Sequence, residues 1–177
     1  MKALTISLIL FFGSHYTHLA AQNADSLFST AGVRVGVDAE NQIGLVSYEI
    51  FGITNMGWSW DLSERIRLDL NIETAVGGLS GEGETAIYAR MAPVAEIFFG
   101  DCPLSLTLSS GPALYSEDTF DTYDIGGNFQ FTSSVGLNWD LNDTYALSYR
   151  FQHTSNAHIS SPNPGLDMHT ISIAYKF

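Results

Sequence analysis

Residues 142–177 read NDTYALSYRFQHTSNAHISSPNPGLDMHTISIAYKF, two alternating runs around a loop of Ser, Pro, Asn and Gly. In the first run Tyr145, Leu147, Tyr149 and Phe151 share one face, and Ser148, Arg150 and Gln152 take the other. In the second, Ile171, Ile173, Tyr175 and Phe177 oppose Thr170, Ser172 and Lys176. A period of two marks β-strands that show different faces to different surroundings. His153 and Ser155 continue the apolar face of the first run, and Asp167 and His169 head that of the second.

The same period recurs upstream. Val33, Val35 and Val37 alternate with Arg34 and Asp38, and Ile66, Leu68, Leu70 and Ile72 with Arg67, Asp69, Asn71 and Glu73. Ile87, Met91, Ile97 and Phe99 oppose Tyr88, Arg90 and Glu96, and Leu104, Leu106 and Leu108 oppose Ser105 and Thr107. Phe129, Phe131, Val135, Leu137 and Trp139 oppose Gln130, Thr132, Ser134 and Asn138. Residues 43–53 are a blurred version, with Val46, Tyr48 and Ile50 in phase and Ile43 and Leu45 out of it, which predicts a bulge near Gly44. The pattern gives eight strands with alternately short and long connections, GGLSGEGE at 77–84 among the long ones.

Eight alternating strands fit a soluble lipocalin-like binder as well as a membrane barrel. Here the non-apolar face carries Ser, Thr, Asn, Gln and Gly rather than dense Lys and Glu, and only 15% of residues are charged, against about a quarter in soluble domains. An eight-stranded interior is narrow enough for side chains to fill. Arg34, Arg67, Arg90 and Arg150 are expected to pair there with Glu49, Asp69, Glu73 and Glu96, because buried charges must be paired. The ending on Tyr175, Lys176 and Phe177 resembles the assembly signal of bacterial outer-membrane barrels. The expected fold is therefore all-β, an eight-stranded antiparallel transmembrane β-barrel in the bacterial outer membrane. Residues 1–21 read as a signal peptide: Lys2, an apolar run from Ala3 to Phe12, and Leu19-Ala20-Ala21 for cleavage. The mature barrel is then 22–177. A net charge of −12 with 7 basic residues speaks against a nucleic-acid partner, and Cys102, the single cysteine, permits no internal disulfide.

In such barrels both termini and the short turns lie on the periplasmic side, and the long loops are extracellular. His153 and Ser155 then stand near the outer end of the seventh strand and Asp167 at the outer start of the eighth, all on the lipid-facing side. Polar groups there cost up to a few kcal/mol at the midplane and less near the interface. A lone His at a strand tip is ordinary interfacial polarity; His, Ser and a carboxylate together on adjacent strands suggest chemistry. The carboxylate of Asp167 would fix the imidazole tautomer, His153 would take the proton of Ser155, and Ser155 would attack an ester carbonyl. The Asn156 side chain or nearby backbone N–H groups would hold the oxyanion.

HTSNA at 153–157, PNPG at 162–165 and then Asp167 resemble the C-terminal motif of the PagL-type lipid A 3-O-deacylases. That family carries His-x-Ser-Asn, a Pro-Asn-x-Gly loop and an acidic residue in the last two strands of an eight-stranded outer-membrane barrel. The resemblance implies hydrolysis of the ester-linked acyl chain at the 3 position of lipid A, without a cofactor. By motif match His153 is the base, Ser155 the nucleophile, Asn156 the oxyanion contributor and Asp167 the acid. Asp in place of the family's Glu is the main departure, since it shortens the reach to His153 by a methylene. The implied partners are lipopolysaccharide and outer-membrane lipid, and a homodimer is compatible with the pattern.

Two other histidines, His158 and His169, read as loop and interfacial polarity. A non-catalytic barrel with a structural or adhesion role is the alternative, its acidic loop at 117–124 binding partners or divalent cations. Asp118, Asp121 and Asp124 are spaced loosely like a calcium loop, but no Gly and Glu follow in the required places.

Overall fold

The computed structural model describes residues 27–40 and 44–177. The expected signal peptide, residues 1–21, lies outside the described residues, as does Ile43. Eight long strands close into one antiparallel barrel: β1 Thr30–Asp38, β2 Val46–Ser63, β3 Ile66–Gly81, β4 Glu84–Phe99, β5 Leu104–Tyr115, β8 Phe129–Asp140, β9 Tyr145–Ser155 and β10 Leu166–Lys176. Each pairs with its neighbour in sequence, and β1 closes on β10 with Val33 opposite Ile173. A small hairpin, β6 Thr119–Phe120 and β7 Tyr123–Asp124, stands in the connection between β5 and β8. Closure leaves no unpaired strand edge, which is what a sheet needs to sit in lipid.

The apolar faces point outward. Val33, Val35, Val37, Ile87, Met91, Leu137, Leu147, Ile171 and Ile173 are all exposed. Trp139, Tyr145, Tyr175 and Phe177 cluster at the end that carries the termini, as an interfacial girdle does. This is the inverse of a lipocalin, whose apolar face is inside.

The interior is filled. Midway along, Glu73 is wholly buried and takes both terminal nitrogens of the Arg34 guanidinium at 3.1 Å, Arg90 at 2.6 Å and Arg150 at 3.0 Å. Glu49 completes the cluster with Arg34, with Arg90 at 2.6 and 3.0 Å and with the Tyr88 hydroxyl at 2.9 Å. Three of the four expected arginines therefore meet two of the four expected carboxylates. Arg67 and Asp69 pair at 3.1 Å at the open terminal mouth instead, and Glu96 accepts from Ser105 at 2.5 Å and Asn138 at 2.8 Å rather than from an arginine. Above the charged layer lies an apolar one of Leu45, Leu79, Tyr88, Tyr115, Leu166 and Met168. Phe120 of β6 and Ile125, just after β7, are buried in the same cluster.

Two local expectations are corrected. Leu45 is not thrown out of phase by a bulge at Gly44; it precedes β2 and points inward to fill the apolar layer. The register shifts between Asn55 and Trp58 instead. Residues 77–81 form the end of β3, and only Glu82 and Gly83 turn the chain into β4. Glycine there serves packing, not looping: a Cβ on Gly77 would stand 2.7 Å from Glu49 Cβ and 2.9 Å from the Tyr88 ring. Residues 116–128 and 156–165 remain longer connections, at the end opposite the start of β1 and the finish of β10.

Candidate active site

The register of the last hairpin brings the carboxylate to the imidazole. Asp167 is directly opposite His153, and His153 Nδ1 lies 2.6 Å from Asp167 Oδ1. Opposed residues on adjacent strands share a face, so one aspartate spans the gap without the extra methylene of Glu. A carboxylate accepts from Nδ1–H, which leaves the lone pair of a neutral imidazole on Nε2. His153 is exposed and Asp167 half-buried, so the pair is open to whatever covers this outer face.

Ser155 follows two residues on, half-buried on the same outward face and opposite Phe131 of β8. No hydrogen bond joins its hydroxyl to His153 in this arrangement; the two are neighbours along the strand. The expected acid, base and hydroxyl are thus on one face in the expected order, with the acid–base contact made.

Asn156 behaves otherwise. It is wholly buried, and its amide nitrogen is directed at the carbonyls of Gly126 at 2.7 Å, Pro162 at 2.9 Å and Ser160 at 3.1 Å. Its Oδ1 accepts from the His158 N–H at 2.8 Å, and its own N–H donates to Asn163 Oδ1 at 3.0 Å. The expected oxyanion role of this side chain does not fit the geometry, because its donors are already used inside the loop. Ala157 and His158, the next two residues, both have positive φ, 53° and 64°. Such backbone strain in non-glycine residues is held only where the surroundings over-determine it, and here the Asn156 hydrogen bonds do so.

The sequence reading missed the residues that brace this loop. Tyr123 donates to the Gly165 carbonyl at 2.5 Å. Burial, and then the carboxylates of Asp38, Glu40 and Asp167, hold its phenol above the usual range, so it stays a donor. Gly165 has φ +79°, and a Cβ there would lie 2.9 Å from His153 Cε1; its bareness makes room for the imidazole. The Gly in PNPG was visible as a loop residue, but nothing in the sequence placed it against His153.

His158 and His169 have partners of a packing kind. His169 Nδ1 lies 2.7 Å from the Tyr149 hydroxyl, with the rings of Tyr149 and Phe151 beside it. His158 Nδ1 is 3.4 Å from Asn163 Nδ2. Of the spaced aspartates, Asp124 accepts from the Gly126 N–H at 2.7 Å and Asp118 from the Thr119 hydroxyl at 3.2 Å, so both serve their own turns.

Comparison with known proteins points one way. The family model "Lipid A 3-O-deacylase (PagL)" matches residues 44–176. The lipid A deacylase PagL of Bordetella bronchiseptica (strain ATCC BAA-588 / NCTC 13252 / RB50) is 37% identical over 67 residues, 38% of this chain. The match likewise spans 38% of that relative's length. The crystal structure of the outer membrane enzyme PagL superposes with a TM-score of 0.72 at 18% identity, covering 84% of this chain and 99% of that one, a likeness of fold. With a family model matched from β2 to the end of β10, and a barrel of the same architecture, the chain belongs to the PagL family of lipid A 3-O-deacylases.

Proposed function

We propose that this chain sits in the bacterial outer membrane and hydrolyses the ester-linked acyl chain at the 3 position of lipid A, with Ser155 as nucleophile. The observation that carries the reading is the 2.6 Å contact between His153 Nδ1 and Asp167 on the lipid-facing side of the barrel, beside a serine. That face is where an outer-leaflet ester would arrive without leaving the membrane.

The steps follow from the arrangement. Nε2 of His153 takes the Ser155 proton as Oγ adds to the ester carbonyl, and Asp167 stabilises the imidazolium that forms. The backbone N–H of Ala157 donates to the oxyanion in place of the Asn156 amide, since those of Asn156 and His158 are already given to Asn163 and to the Asn156 side chain. Collapse of the intermediate expels the sugar oxygen, which takes the proton from His153, and leaves the acyl group on Ser155. Water, deprotonated by His153, then cleaves that ester, releasing the fatty acid and restoring the serine. The interior ion cluster takes no part; it fills the barrel and keeps the strands in register.

The test is hydrolysis of purified lipopolysaccharide by the detergent-solubilised barrel, with released fatty acid measured by mass spectrometry. Release by the wild type and none by Ser155→Ala is the expected result. Equal release by both would remove Ser155 from the mechanism, and none by either would overturn the activity.

A further inference from the structure

The imidazole of His153 stands exposed on the outer face, with Nδ1 on Asp167 at 2.6 Å. One hydrogen bond does not fix such a ring. The torsion about Cβ–Cγ is broad and two-fold, and half a turn puts Cδ2 where Nδ1 stands, breaking the contact with Asp167. Gly165 supplies a second constraint. A Cβ on it would stand 2.9 Å from Cε1 and 3.7 Å from Nε2, so the ring edge that carries the basic nitrogen lies along the Gly165 backbone. Gly165 closes the 156–165 loop and leads directly into β10, whose first residue, Leu166, is opposite Thr154.

What fixes Gly165 comes from far along the chain. Its carbonyl accepts from the Tyr123 hydroxyl at 2.5 Å, and Tyr123 is itself anchored. Phe120 is opposite it in the β6–β7 hairpin. Phe120 and Ile125 are buried, and the Tyr123 ring packs against their cluster. The Asp121 N–H donates to the Glu84 carboxylate at 2.9 Å, and the Ile125 N–H to the Asp118 carbonyl at 2.7 Å. The same connection holds the other end of the loop, where Asn156 Nδ2 and Ser160 Oγ both donate to the Gly126 carbonyl. Residues 156–165 are therefore gripped at both ends by 116–128. The grip at Gly126 settles the turn at 156–158, and the grip at Gly165 settles the imidazole. The second depends on a single side-chain oxygen, which can be removed while the ring that carries it stays packed.

We propose that Tyr123 is a positioning residue of the hydrolase: through Gly165 it holds the His153 imidazole in the setting that keeps Nδ1 on Asp167 and Nε2 free for Ser155. The role rests on the proposed hydrolysis at Ser155. Tyr123 touches neither the ester nor the reacting atoms, so it acts on the chemical steps and not on the binding of lipid. With its hydroxyl gone, Gly165 is free to move off the ring, and the imidazole spends part of its time turned away from Asp167. Every turned ring is a site without an oriented base, for acylation and deacylation alike. The β6–β7 hairpin thereby couples a loop outside the membrane to proton transfer on the lipid-facing wall of the barrel.

Tyr123→Phe keeps the ring and removes the hydroxyl. In the full barrel in detergent, with fatty-acid release from lipopolysaccharide as the assay, the loss of a neutral hydrogen bond corresponds to a roughly three- to tenfold fall in kcat with KM unchanged. A merely structural role would lower the assembled fraction, read by heat-modifiable migration, and would act equally in every background. A positioning role is not additive: Asp167→Asn has already taken the base from Ser155, so adding Tyr123→Phe to it should cost less than about twofold. A second readout needs no turnover. In barrels made with isotope-labelled histidine and carrying Ser155→Ala, the His153 Nδ1 proton, bonded to a carboxylate, gives a strongly downfield NMR signal; Tyr123→Phe should move it upfield or broaden it. An unchanged kcat, a rise in KM alone, the same fold loss in the Asp167→Asn background or an unaltered Nδ1 signal would overturn the proposal. Failure of Tyr123→Phe to assemble would overturn it too, since the hydroxyl would then hold the fold rather than the ring. No release by the wild type would overturn the Ser155 reading instead, and the Nδ1 signal would still decide whether Tyr123 places the ring.

Discussion

Replacing Asp167 by Asn keeps the side chain's size and removes its charge. In the native site Oδ1 lies 2.6 Å from His153 Nδ1 and can only accept, so the ring proton stays on Nδ1. Asn can instead donate its amide proton to Nδ1, which moves the ring proton to Nε2 and takes the base away from Ser155. A hydrogen bond to a charged group is worth about 1.5–3 kcal/mol. The side chains of His153 and Asp167 are 49% and 32% exposed, so solvent screening places this pair at the lower end of that range. At 1.36 kcal/mol per decade, about 1.5–2 kcal/mol is a loss of roughly 10- to 30-fold in kcat, and the tautomer change adds to it. KM should not move, since the carboxylate acts on the imidazole and not on the substrate. The assay is fatty-acid release from lipopolysaccharide in detergent micelles, with Asp167→Glu in parallel. Because the direct register already closes the contact, Glu should retain most activity without exceeding the wild type. Wild-type kcat in Asp167→Asn would refute the acid's role.

Three further outcomes follow from the fold. Glu73→Gln leaves three guanidinium groups around the single carboxylate Glu49; breaking a buried pair costs about 3–5 kcal/mol, so the gel-shift melting temperature should fall by on the order of 10 °C. Ile171→Arg puts a charge on an exposed position of the outward belt, and folding into lipid vesicles should be weakened by roughly 2–4 kcal/mol; unchanged folding would contradict the outward-facing lipid belt. Asn156→Ala removes the donor shared by the carbonyls of Gly126, Ser160 and Pro162. Activity should then drop several-fold while the barrel still assembles, as heat-modifiable migration would show.

The strand count and the sense of the faces were legible because a period of two survives in nearly every strand, from Val33 to Tyr175. Register was not. Parity put His153 and Asp167 on one face, but whether they are opposed depends on how many residues the 156–165 loop absorbs, which the sequence leaves open. Leu45 was misread because the barrel interior is not uniformly polar: its outer third is an apolar layer. The glycines at 77–81 were misread because a residue without Cβ signals a loop and a crowded barrel wall equally well, and Tyr48, Glu49 and Tyr88 make the wall crowded. Four arginines and four carboxylates could be listed, but only the three-dimensional height of each on the barrel decides that Arg67 meets Asp69 at the mouth and that Glu96 meets none. Asn156 was read by its motif neighbours, and its true partners come from 126, 160 and 162. The same blindness to long-range contacts hid Tyr123 and its hold on Gly165.

The most direct test of the account is the lipid A mass spectrum of bacteria expressing the wild-type chain or Ser155→Ala at matched outer-membrane levels. The account predicts loss of one acyl group from lipid A with the wild type and an unaltered spectrum with Ser155→Ala. The same lipid A from both strains, whether altered or intact, would contradict it.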